Sequence, residues 1–352
     1  MRWLTASGRT SHRHPQHQTD RSGPVKLGRN IYEQQAHNKR LTVFVMVGFV
    51  FFLAFIGFGF DYYFLGLYAD DMPLPVGTIV AVVMGTAMAI GSLQSGAKSV
   101  LQSTGAVPAD PANPSHQQLI NVVEEMSIAS GMPKPEVFVV PDPDPNAFAT
   151  GKDPGHSYVA VTQGLLDSLN REELQGVIAH EMSHVRNYDI RLMTVVAAFV
   201  GSIVLLSDSA RRGVRFGGLA GRGSKSRSGG ALGGIFMVLW LISIILAPLI
   251  AQVMAMLVSR RREYLADASG AELTRNPLGL ASALRKIEGA SAPTESVKRG
   301  SAHLCIVDPM GRHLNSKEGV VAELFGTHPP IEKRILALDA MAYQYKTAKP
   351  SA

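Results

Sequence analysis

Two histidines at i and i+4 with a glutamate beside the first, in His180-Glu181-Met182-Ser183-His184, carry the most concentrated chemistry in this sequence. On a helix these positions share one face, so both imidazoles reach a single metal ion. Glu181 then stands where a general base can take a proton from an attacking water. Nitrogen ligands with an acid–base glutamate suit zinc, one ion per chain, and the implied reaction is peptide-bond hydrolysis.

The motif needs a helix to hold it. Asn170 stands in a helix-capping position and Glu173 completes a capping box. Residues 174–185 are mostly apolar, so this helix is expected to be buried, where two histidines and a glutamate are costly without a cation. A third ligand must come from elsewhere. Arg262-Glu263-Tyr264-Leu265-Ala266-Asp267 offers two carboxylates one turn apart. Glu263 is the candidate ligand, and Asp267 can accept the free N–H of a ligating histidine. Arg260, Arg261 and Arg262 read instead as the interfacial end of an apolar segment. The extended three-histidine zinc pattern is excluded, because Asn187 and Ile190 occupy the places of its glycine and third histidine.

Membrane segments surround these motifs. The chain has 352 residues, 46% of them apolar and only 18% charged. Residues 41–60 contain no charge and, as a helix, span about 30 Å, the hydrocarbon thickness. A second apolar run covers residues 77–93. The segment between them holds Asp61, Asp70 and Asp71 but no lysine or arginine, whereas residues 1–40 are strongly basic. The positive-inside rule therefore puts the N-terminus and the metal motifs in the cytoplasm. The long polar stretch before residue 41 argues against a secretory signal peptide.

A second apolar pair, residues 192–207 and 228–259, flanks a Gly/Ser/Arg-rich loop at 211–230 that reads as flexible. Two arrangements fit it: a spanning hairpin, favoured by length, or long amphipathic helices that only partly enter the bilayer. The formal charge of +6 comes from this loop and the N-terminal segment. Neither shows aromatic interleaving or a helix-turn-helix pattern, so nucleic acid is not an expected partner. The N-terminal segment, with His12, His14 and His17, reads as a solvated disordered tail. Cys305 is the single cysteine, which excludes an intrachain disulfide and suits a small packed side chain.

Residues 146–151 and 157–161 read as strands joined by a Lys152-Asp153-Pro154-Gly155 turn. Pro329-Pro330 opens a helical pattern over 331–345. His328 precedes it, where a loop or capping histidine is the plain alternative to a catalytic one.

Taken together, these motifs resemble the HtpX-type integral-membrane zinc metalloproteases, relatives of the CaaX prenyl protease. The resemblance covers about residues 41–345. It rests on residues 146–151, on His180 to His184 with Asn187 and Asp189, on residues 259–267, and on Thr327-His328-Pro329-Pro330 with Arg334. It implies a mainly α membrane protein with transmembrane helices and a zincin-like α+β metalloprotease domain containing a small β-sheet. It implies zinc ligands His180, His184 and Glu263, with Glu181 as base and His328 stabilising the tetrahedral intermediate. Arg334 would pair with Glu263. The first strand would be an edge beside the zinc, where Asn146, Ala147, Phe148 and Ala149 meet an extended substrate. The implied role is quality control of misfolded or damaged membrane proteins at the bacterial inner membrane.

The expected organisation is a basic tail (1–40), a transmembrane hairpin (41–96), a first catalytic part (97–190), a second membrane hairpin (191–258) and a second catalytic part (259–348). The expected partners are polypeptide substrates and the lipid bilayer. The competing function is a non-catalytic membrane scaffold or holdase, which the intact base and ligand set disfavours.

Overall fold

The computed structural model describes residues 31–62, 74–215, 260–290, 294, 296–297, 304–307 and 329–347. Helices α1 (Ile31–Phe60) and α2 (Val76–Ser103) form an antiparallel apolar pair. Among the described residues, these are the two helices long and apolar enough to cross a membrane. Asp61 closes the far end of the pair: its carboxylate accepts from the N–H groups of Gly77 (2.6 Å) and Thr78 (2.7 Å) and from the Thr78 hydroxyl (2.7 Å). Those bonds satisfy backbone donors that the first turn of α2 cannot pair internally. Phe44, Phe51, Val83 and Met84 are exposed, so the pair presents an apolar outer surface.

Helix α1 starts within the segment expected to be a disordered tail, and Gln35, Asn38, Lys39 and Arg40 lie on it. The second expected hairpin is described only in its first helix, α6 (Asp189–Arg215), which continues into the segment read as a flexible loop. The rest of that hairpin lies outside the described residues. The first half of α6 packs against α1 and α2 through Leu192, Val196, Phe199 and Ile203. Phe199 stacks on Phe49 with ring centroids 3.9 Å apart.

The second unit is a small α+β layer. Strands β1 (Val107–Pro108), β2 (Glu136–Val140), β3 (Ala147–Asp153) and β4 (His156–Thr162) form a sheet ordered β1-β2-β4-β3. The β3–β4 pair is the hairpin legible in the sequence, and β2 lies parallel to β4. Helix α3 (Pro114–Ser130) begins with its Asn113 cap and ends at Gly131, whose φ of 68° suits the left-handed C-cap. Helix α4 (Gln163–Ser168) leads to α5 (Arg171–Arg186), the motif helix.

The capping box on α5 is present in both directions. Asn170 accepts from the Glu173 N–H at 3.0 Å, and Glu173 accepts from the Asn170 N–H at 2.8 Å. From Leu174 to Val185 nearly every residue of α5 is buried, between the sheet and helices α7 (Arg260–Thr274), α8 (Pro277–Gly289) and α9 (Ile331–Thr347). Leu119, Ile178, Met182, Leu280, Leu284 and Leu338 make the centre of this core. Cys305 is buried in a satellite cluster, as a small packed side chain should be.

Candidate metal centre

Helix α5 brings His180, Glu181 and His184 into the core, and α7 crosses it there. The crossing is close because Gly270 has no side chain: a Cβ at that position would stand 3.0 Å from the His180 backbone nitrogen. This approach carries Glu263 and Asp267 to the histidines. His180 Nε2 and His184 Nε2 lie 3.3 Å apart, and the Glu263 carboxylate lies 3.7 and 3.6 Å from them. All three side chains are buried.

Each imidazole is fixed from behind. Asp267 holds His180 Nδ1 at 2.9 Å, and Asp189 holds His184 Nδ1 at 3.2 Å. With Nδ1 as donor, the Nε2 lone pairs of both rings converge beside the Glu263 carboxylate. Such crowding of acceptors requires a positive charge between them. Four-coordinate zinc with bonds of ~2.0–2.1 Å sets its ligand atoms about 3.4 Å apart, and the three separations fit that spacing. Among the described residues, His180, His184 and Glu263 form the one His/Cys/Asp/Glu group able to hold a metal ion.

The electrostatics agree with this assignment. Burial disfavours a charged His184, but its bond to Asp189 and the Glu263, Asp189 and Glu181 carboxylates hold it up at about 9. A cation arriving here displaces a proton. Burial pushes His180 down, against the pull of Asp267, and favours the neutral ligand form. Burial also pushes Glu181 up to about 7, with Glu263 adding to it and His184 and Arg334 opposing. The Ala149 N–H faces the Glu181 carboxylate and pulls it down, and among the described residues Glu181 Oε1 is buried without a hydrogen-bond partner.

Arg334, fully buried on α9, does more than the resemblance implied. Its guanidinium grips Asp267 with two bonds, 2.8 Å from Nε and 2.7 Å from Nη2. It donates to the Ile306 carbonyl at 2.9 Å, and Glu263 is a more distant neighbour at 3.5 Å. Burial would raise the Asp267 carboxyl, but Arg334 and His180 hold it down at about 2. Asp267 therefore stays ionised behind His180.

Asp189 has further partners that the sequence did not reveal. Asn38 on α1 donates to its Oδ1 at 2.6 Å and to the Asn187 carbonyl at 2.9 Å. Arg262 stands 3.5 Å from the same oxygen and is buried, so it serves the site rather than marking the end of an apolar segment. The turn from α5 to α6 passes through Tyr188 at φ 59°, an uncommon conformation for an aromatic residue. Lys39 covers the Tyr188 ring at 3.9 Å, and Gln35 donates to the Arg186 carbonyl at 2.8 Å.

The expected substrate strand, β3, is at the sheet edge, but its outer groups are engaged. Asn146 donates to the Thr294 hydroxyl and to the Val307 carbonyl, both at 3.2 Å, and its Oδ1 accepts from the Ala147 N–H at 3.0 Å. The Ala147 carbonyl accepts from the Ile306 N–H at 2.9 Å, and Phe148 bridges Cys305. Asn146, Ala147, Phe148 and Ala149 are all buried. Among them, the Ala149 backbone faces the Glu181 carboxylate. His328 lies outside the described residues.

Known proteins resemble this chain along most of its length. The model of peptidase family M48 matches residues 114–342. A protease HtpX homolog of Caldanaerobacter subterraneus subsp. tengcongensis is 44% identical over 314 residues, covering 89% of this chain and 98% of that protein. The protease HtpX homolog of Lactobacillus acidophilus is 44% identical over 312 residues, covering 88% of this chain and 100% of that protein. The crystal structure of S. mikatae Ste24p is similar with a TM-score of 0.45 and 18% identity, over 88% of this chain and 66% of that chain.

Proposed function

The chain belongs to peptidase family M48 and is a membrane metalloprotease, and from that premise we propose a zinc-dependent endopeptidase acting at the cytoplasmic face on misfolded or damaged membrane proteins. The observation that carries the chemistry is the convergence of His180, His184 and Glu263 with Glu181 beside them in one buried centre. Zinc bound there supplies Lewis acidity and lets water act as a nucleophile near neutral pH.

The chain's own residues do the rest. Asp267 and Asp189 hold the two imidazoles in one tautomer and orientation. Glu181 takes the proton of the attacking water and returns it to the leaving amine. Its high pKa suits both halves of that exchange. The Ala149 N–H ties the β3 edge to this base. His328 is assigned to oxyanion stabilisation on its place in the motif. A substrate strand adding along Ala147 and Phe148 has to displace residues 304–307 from that edge. A cytoplasmic active face rests on the basic N-terminal segment and the acidic connection between α1 and α2.

The test is Glu181→Gln in the full chain, with metal analysis and cleavage of a model membrane protein. The variant is expected to keep one zinc per chain and to lose activity by a factor of 100 or more, on the order of a general-base contribution. Unchanged cleavage would remove Glu181 from the mechanism, and absence of zinc from the wild type would remove the metal.

A further inference from the structure

A second polar site lies away from the metal, where the membrane pair meets the β-hairpin. Ile90, Leu93 and Gln94 of α2, Lys152 and Asp153 at the end of β3, and Arg191 at the start of α6 line one cavity of about 260 Å³. Its two cations are half-buried. Among the described residues neither Lys152 nor Arg191 has an ion-pair partner, and Arg191 Nε is buried without a hydrogen-bond partner there. Asp153, the one carboxylate in the lining, is bonded to His156 at 2.7 Å. Two half-buried cations facing one carboxylate that is already engaged by His156 leave net positive charge in the cavity, which invites an anion.

The position of the cavity selects the anion. Ile90 is half exposed on the outer face of α2, and the apolar body of that helix ends at Leu93, with Gln94 next. The lining thus passes from hydrocarbon-facing to polar at the depth of a headgroup layer. An apolar wall with two basic side chains at its polar end matches a phospholipid: acyl chain along Ile90 and Leu93, phosphate at Lys152 and Arg191, Gln94 as a neutral donor. We propose that this cavity binds the headgroup of an anionic phospholipid and anchors the β3–β4 hairpin against the bilayer. The inference rests on α1 and α2 crossing the membrane, but not on the metal chemistry.

Native mass spectrometry of the full-length protein, with phosphatidylglycerol titrated against phosphatidylcholine, tests it. Wild type is expected to hold one phosphatidylglycerol in preference to phosphatidylcholine. The Lys152→Gln/Arg191→Gln double variant is expected to lose about thirtyfold in affinity, the combined contribution of two basic side chains at an anionic surface. A control double variant at exposed ion pairs, Lys134→Gln/Arg285→Gln, should keep the wild-type preference. Carbonate-resistant membrane association, unchanged in every variant, separates loss of the headgroup site from failure of insertion. Equal phosphatidylglycerol binding by wild type and the Lys152/Arg191 variant overturns the proposal. So does displacement of the lipid by inorganic phosphate at similar concentration, which would assign the cavity to free anions.

Discussion

Asp267 holds His180, a proposed zinc ligand, from behind, and its own ionisation is secured by Arg334. Replacing it with asparagine keeps the shape but weakens the acceptor behind the imidazole. Asp267→Asn is expected to weaken zinc binding ten- to a hundredfold, measured by competition with a chelator. As the proposed base, Glu181 is expected to set the acid limb of the pH profile. Its carboxyl stands at about 7 without a cation, and a nearby dication lowers it. A base works only when deprotonated, so kcat/KM is expected to fall tenfold per unit at pH values below that lowered pKa, and to level off above it. A profile with no acid limb between pH 4 and about 7 would count against Glu181 as base. His180 and His184 were legible because their i, i+4 spacing puts both on one helix face, Glu181 because it stands beside the first of them, and Glu263 because Asp267 follows it one turn on. Asp189 was quoted in the motif without a role, since a residue at i+5 leaves the helix face. Only the turn at Tyr188 brings it back to His184.

Elements deliver these residues through two kinds of contact. Helix α5 is held at its start by Asn170 and Glu173, both visible in sequence as a capping box. Glu173 also takes Lys286 and Ser282 of α8 at 2.7 Å each, a long-range tie with no local signature. The crossing of α5 and α7 depends on Gly270, an ordinary glycine in a helical segment until the neighbouring backbone is known. Gly270→Val is expected to push α7 from His180, lowering stability by about 1–3 kcal/mol and weakening zinc binding. Thermal melting with and without a chelator measures both. A variant that melts earlier but binds zinc normally would show that α7 has slack at this crossing. The β3–β4 hairpin was legible from its alternation and Pro-Gly turn. The pairing of residues 304–307 with β3 was not, because their partners lie more than a hundred positions earlier in the chain.

Across the whole molecule, the membrane pair and the catalytic layer form one structure rather than an anchor with a passenger. Hydropathy found α1 and α2, since twenty uncharged residues have few other uses. It could not find the polar first turns of α1, which grip the α5–α6 turn through Gln35, Asn38 and Lys39. Asn38 is 1% exposed and holds the carboxylate that orients His184. Asn38→Leu leaves Asp189 without that donor, and zinc affinity is expected to drop while membrane insertion stays intact. Normal zinc affinity in this variant would make Arg262 sufficient to orient Asp189.

That grip bears on how this chain can be handled and how it matures. A fragment cut after α2 to gain solubility keeps every proposed zinc ligand in sequence yet loses the side chain that steadies Asp189. Such a fragment should emerge with a loose centre that sheds its ion readily. By the same dependence, a newly made copy is expected to complete its centre only once its first helix is seated.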